Sequence, residues 1–126
     1  MKYKTHYFFI ICFCYILCEG CEKKKEVLAY PQSTCDTLSV KYSLQVVTVL
    51  NTNCYSCHSS ANANTSGGGV KLDTYPDVNP WAANGSLLNN IMHTQGYDPM
   101  PKNTAKLSDC DIAKIRIWVT NGYPDN

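Results

Sequence analysis

The sequence predicts a small all-α fold of three to four short helices joined by long loops, on three observations. Apolar side chains recur at helical spacing in the stretches 84–94 and 108–120, and less cleanly from residue 43 onward. The segments between them are rich in Gly, Pro, Ser and Asn, which is turn chemistry rather than strand alternation. Finally, about ninety folded residues with so much loop bury only a thin core. Long loops in so small a domain are expected only where something large organises them.

The chain opens with Lys2 and Lys4, followed by "YFFIICFCYILC", residues 7 to 18, all apolar or aromatic. A bilayer span needs about 20 such residues, so this run fits the apolar region of a secretory signal peptide over residues 1–20. The stretch "LCEGC" resembles a bacterial lipobox, with Gly20 immediately before Cys21, although Cys18 and Glu19 replace the usual Leu and small residue. Cleavage before Cys21 and lipidation of its thiol are the expectation, with ordinary secretion or an uncleaved anchor as the alternative. Residues 21–34, starting "CEKKKE", are polar and aperiodic and read as a flexible tether. The folded domain is expected over residues 35–126.

Within it, "SLQVVTVLNTN" carries Leu44, Val47 and Leu50 at helical spacing behind Ser43 as N-cap. Its β-branched run from Val46 to Val49 makes a strand the competitor. "SSANANTSGGGVKL" reads as a loop. Pro76 and Pro80 interrupt the next segment, leaving room for a turn or one short helical piece. Residues 84–94 set Leu87, Leu88, Ile91 and Met92 on one helical face, starting near Asn84 or Ser86 and stopping before Gly96. "QGYDPMPKNTAK" is a loop pinned by Pro99 and Pro101. The last helix has Ser108 as N-cap, Asp109 and Asp111 in its first turn, an apolar stripe of Ile112, Ile115, Trp118 and Val119, and Gly122 at its stop.

A formal net charge of +1 and no dominant basic patch argue against a nucleic-acid partner. The run Lys23 to Lys25 lies on the tether, where lipid headgroups are its natural neighbours. The 8 cysteines divide by place. Cys12, Cys14 and Cys18 fall in the leader, Cys21 at the lipidation site, and Cys54 and Cys57 in a motif. Cys35 and Cys110 remain, and export to an oxidising compartment predicts a disulfide between them. Two unpaired buried thiols are the alternative.

The motif is "CYSCH", which places Cys54, Cys57 and His58 in the pattern C-x-x-C-H. Two thiols at this spacing reach one edge of a haem and add to its vinyl groups, and the adjacent His lies under the iron as proximal ligand. A structural zinc site would need a second ligand pair, and neither a second C-x-x-C nor an H-x-x-x-H exists. A redox dithiol would need a βαβ context that the sequence lacks. For the distal side of an iron the candidates are Met92, His93 and Met100. Met92 falls on a packing stripe, which makes it a core methionine. His93, at a helix end, has capping, solvent exposure or a contact with a haem propionate as competing roles. Met100, flanked by prolines in "DPMPK", belongs to no packing stripe and is the expected distal ligand.

Taken in order, "CYSCH", "GGGVKLDTY", "MPK" and "LSDCDIAKIRIWVTNG" resemble small bacterial class I c-type cytochromes, most closely the monohaem envelope lipoprotein type, over residues 35 to 124. The resemblance implies a cytochrome c-like fold around one covalently bound haem c, with the first and last helices crossing beside it. Thioethers at Cys54 and Cys57, iron ligands His58 and Met100, and Trp118 on the terminal helix near the haem are carried over with it. Two departures stand out. The proline that in many such proteins orients the proximal His is absent from residues 59–75, and "MPK" replaces the common "MPP", which sets Lys102 toward the rim.

The expected function is therefore one-electron transfer, by a non-enzymatic, monomeric carrier. It would be lipid-anchored in the bacterial cell envelope, facing the periplasm or cell surface, and serve redox partner proteins of a respiratory chain. The alternative from another class is a haem enzyme or sensor with an open or labile distal site, peroxidase-like or gas-binding.

Overall fold

The computed structural model describes residues 35–126. The expected signal peptide, the expected tether and the expected lipidation site Cys21 lie outside the described residues. Those described are helical and contain no strand. A π-helical turn, Tyr42–Val46, leads into α1 (Val47–Asn53). There follow α2 (Tyr55–His58), α3 (Ala63–Ser66), α4 (Tyr75–Ala83), α5 (Ser86–Ile91) and α6 (Asp109–Thr120). None of these helices is long and apolar enough to cross a membrane.

The first helix forms despite its β-branched run because tertiary packing outweighs the propensity. Its buried stripe is Tyr42, Val46, Val49 and Leu50, with Val46 and Leu50 fully enclosed. The expected stripe of Leu44, Val47 and Leu50 is thus rotated, and Leu44 is 59% exposed. The opening turn explains the rotation. The Lys41 carbonyl accepts from both Gln45 N and Val46 N, at 3.1 and 3.3 Å. The wider loop adds about a residue of phase before α1 begins. Ser43 is not the N-cap either: Lys41 holds that position without a side-chain cap. The free amides of Tyr42 and Ser43 instead donate to Oδ1 and the main-chain oxygen of Asn126.

Two further segments differ from expectation. The polar stretch after His58 contains the single turn α3, anchored by the fully buried Ala63. The proline-interrupted segment is helical over nine residues, α4. Pro76 sits in its first turn, where the missing N–H costs nothing. Thr74 caps it by accepting from Asp77 N at 3.3 Å. Pro80 is tolerated inside because Val78 and Ala82 are locked into the core. Among the described residues six α-helices therefore stand where three or four were expected, the surplus being single turns. Helix α5 starts at Ser86 behind Gly85 in the left-handed region, φ 79°. Helix α6 starts as expected, with Ser108 Oγ accepting from Asp111 N at 3.1 Å, and Gly122 follows its end at φ 87°.

The core joins Val46, Val49 and Leu50 to Val78, Ala82, Leu87, Ile91, Ile112, Ile115 and Trp118. Helix α4 packs on α5, α5 on α6, and α6 on the turn that opens the first helix. Cys35 and Cys110 stand at disulfide distance, with Cα atoms 5.6 Å apart, fixing the domain's first described residue to the first turn of α6. Opening that link by Cys35→Ser/Cys110→Ser is expected to cost up to about 4 kcal/mol of unfolding free energy on the chain-entropy account. Urea unfolding of the double variant measures it.

Tyr42 sits among Tyr75 and Trp118, with ring centroids 5.2 and 5.5 Å away. Burial first, then the negative charge that Tyr55, Asp125 and other neighbours carry when ionised, pushes its phenol up to about 12. The fold therefore favours the neutral phenol. Its contribution is whole below the ordinary value of 10 and is lost as pH rises towards 12. Denaturation midpoints measured across that range should fall, and fall less in Tyr42→Phe.

Candidate functional site

The C-x-x-C-H pattern occupies one helical turn. The Cys54 amide still donates to Leu50 O at 2.8 Å, so α2 continues directly from α1. At Cys54 the backbone departs from helix, φ −123° and ψ −36°. Cys57 N and His58 N then donate back to Cys54 O at 3.1 and 2.8 Å, closing the turn. Residues three apart on such a turn share a face, so both sulfurs lie on one side. Both cysteines are free thiols, and both are half-buried.

Their electrostatics oppose a redox dithiol. Burial, reinforced by Cys57, pushes the Cys54 thiol up to about 11. An attacking dithiol cysteine needs the opposite shift, towards a thiolate near neutral pH. For zinc the difficulty is the donor count: a structural site needs two ligand pairs, and Cys54 and Cys57 supply one.

His58 is the best-held side chain of the three. Its Nδ1 lies 3.0 Å from the Val70 carbonyl. A carbonyl only accepts, so Nδ1 carries the proton and Nε2 is left with a free lone pair. Fixing the tautomer and ring angle in this way is what a metal-ligating imidazole requires. The returning chain also pins the main chain, with Leu72 N donating to His58 O at 2.8 Å. The glycine run makes the return close enough. A Cβ on Gly67 would meet Cys57 O at 2.5 Å, His58 Nδ1 at 3.0 Å and Ala63 Cα at 3.1 Å. The far end of the loop is held by Asp73, whose carboxylate accepts from Ser60 N and Ser60 Oγ at 2.7 and 3.0 Å. Those bonds, the backbone one foremost, lower the Asp73 pKa.

Val70 O and Gly67 were not legible as site residues. The proline rule for the acceptor finds nothing in residues 59–75, because here the accepting carbonyl belongs to Val70. The available signal was the run "GGGV", residues 67 to 70, which ends twelve residues beyond the motif's His.

Met100 is half-buried, and both of its main-chain polar groups are bonded. Its N–H donates to Asn90 O at 3.0 Å, and its carbonyl lies 3.0 Å from His93 Nε2. Met92 proves to be a packing residue: it is half-buried against the core, and Arg116 Nη2 lies 3.4 Å from its sulfur. Trp118 is fully buried, its indole N–H donating to Pro124 O at 2.9 Å. Lys102 is exposed. The Tyr55 hydroxyl, inside the motif, is enclosed and finds no hydrogen-bond partner among the described residues. Burial, followed by Asp73 and Cys54, raises its pKa. A shallow depression of about 300 Å³, lined by Ser43, Leu44, Gln45, Thr48 and Lys114, includes none of these residues.

The donor set fits a haem c: two thiols on one face of a turn and an oriented imidazole with a free Nε2. Comparison with protein-family models, with curated proteins and with solved structures gives no match. The function is therefore argued from the chemistry of these residues.

Proposed function

We propose that this chain is a one-electron carrier with a cytochrome c-like fold. In this reading Cys54 and Cys57 hold a haem c covalently, His58 is the proximal ligand and Met100 the distal one. The observation that carries it is the His58 imidazole, bonded through Nδ1 to Val70 O directly after a C-x-x-C turn. When bound, the haem supplies a one-electron ferric/ferrous couple.

The chain's own residues do the rest. Val70 O and Gly67 keep the imidazole in one orientation, so that little reorganises between oxidation states. Asn90 O and the prolines on either side of Met100 restrict the thioether's loop. Two strong axial donors leave no open site for small molecules, which separates a carrier from a haem enzyme or gas sensor. Anchoring through Cys21 in the bacterial cell envelope would confine it near membrane-bound respiratory partners, as a monomer docking transiently.

Met100→Ala tests the closed site. It should convert a low-spin spectrum to one that binds carbon monoxide readily, whereas a wild-type protein that already does so overturns the carrier reading. Residues 21–126, left after cleavage before Cys21, carry nine Lys/Arg against nine Asp/Glu, which gives long-range steering little to act on. Reduction rates by a partner should therefore depend only weakly on ionic strength, and a stopped-flow salt series checks this.

A further inference from the structure

His93 has no side-chain packing role, although its backbone closes the C-terminus of α5. It is exposed, just past the end of α5, and adopts φ 56°, the left-handed region that non-glycine residues enter at a cost. That conformation ends the helix, with Thr94 N donating to Asn89 O at 3.0 Å, and the ring beyond it makes one contact, from Nε2 to the Met100 carbonyl at 3.0 Å. A carbonyl only accepts, so Nε2 carries the proton and donates. The same helix end supplies a second hold, since Asn90 O accepts from Met100 N at 3.0 Å and also from His93 N at 3.2 Å. Both main-chain groups of Met100 are thus satisfied from the C-terminal end of α5. The thioether sulfur is left as its one polar atom free to bind something else.

We propose that His93 is a positioning residue for the distal thioether, holding the Met100 carbonyl so that the sixth site of the iron stays closed. This rests on the reading of Met100 as distal ligand. On it, His93 acts through Met100 and does not touch the iron. The left-handed residue that ends α5 is thus also the one whose ring reaches Met100, seven positions along the chain. That contact gives His93 a consequence for function, because the lifetime of the sulfur–iron bond decides whether the protein excludes exogenous ligands or admits them.

The test uses the matured holoprotein and three forms: wild type, His93→Gly and Met100→Ala. Glycine is at ease at φ 56°, so its substitution removes the ring without adding backbone strain. The main readout is the rate at which added imidazole displaces the distal ligand of the ferric protein, followed by absorption. The second is hydrogen exchange of the Met100 amide, read with and without haem. Losing one hydrogen bond should speed both displacement and exchange roughly fivefold in His93→Gly. Met100→Ala should lose the low-spin thioether spectrum outright. If Met100→Ala changes the spectrum but His93→Gly matches wild type in displacement rate, the positioning role is overturned and the distal-ligand reading stands. If Met100→Ala leaves the spectrum unchanged, both fall.

Discussion

A Cys54→Ala/Cys57→Ala double variant, matured in an envelope able to attach haem, is expected to release all of its haem to acidified acetone, whereas the wild type releases none. Attachment through thioethers is the only route by which denatured protein keeps the cofactor, and both thiols lie on the α2 turn. Burial pushes the Cys54 thiol up to about 11, which keeps it a neutral thiol rather than a thiolate open to disulfide exchange. The variant should also unfold more easily, because a ligand that binds only the folded chain stabilises it by mass action. The single variants should each retain one thioether and keep their haem under the same extraction, with a shifted absorption band. Haem analysis of the pellet after extraction distinguishes these outcomes.

Gly67→Ala is expected to be the most damaging change of a single methyl group. The backbone at Gly67, φ −103° and ψ 8°, is open to any residue, so no conformational strain is introduced. The cost is steric: the added carbon lies 2.5 Å from Cys57 O and 3.0 Å from His58 Nδ1. Neither neighbour is a flexible chain end. The first is main chain inside the motif, and the second is a ring fixed by Val70 O. Something must shift, and overpacking of this kind costs roughly 2 kcal/mol or more. Either way the imidazole rotates or the loop retreats. The variant should therefore show both a lowered denaturation midpoint and a perturbed axial-ligand spectrum. Gly68→Ala is the control, because nothing lies within 4 Å of its Cβ position, although its φ of +62° brings a modest backbone cost. It should lower stability without altering the spectrum.

Much of this domain could be read from residues. Helix α6 was legible from end to end because its cap, its stripe and its stop agree with one another: Ser108, then Ile112, Ile115 and Trp118, then Gly122. Helix α5 was legible from its stripe, Leu87 and Ile91, but it runs only Ser86–Ile91 instead of 84–94, and its N-cap is Gly85 without a side-chain bond. The first helix was legible as a helix but not in phase, since a π turn inserts residues without any local sequence mark. Helices α3 and α4 were missed or shortened because single turns and proline-bearing helices owe their existence to one buried anchor each side of a break, Ala63 in one case, Val78 and Ala82 in the other. At the site, side chains named by type and spacing could be found, and main-chain partners could not. Val70 O, Asn90 O and the close approach of Gly67 depend on how the chain returns, which is a property of the fold. His93 was visible as a candidate for several roles, and its contact with the Met100 carbonyl was not among them.

The central claim is that His58 and its two neighbouring cysteines hold a haem c. It is tested most directly by an absorption spectrum, oxidised and reduced, of envelope-matured protein, followed by a pyridine haemochrome spectrum after denaturation. The account predicts a low-spin c-type spectrum and haem that stays with the unfolded chain. Protein that matures in full yield in a haem-attaching envelope and denatures without any covalently retained haem would contradict it.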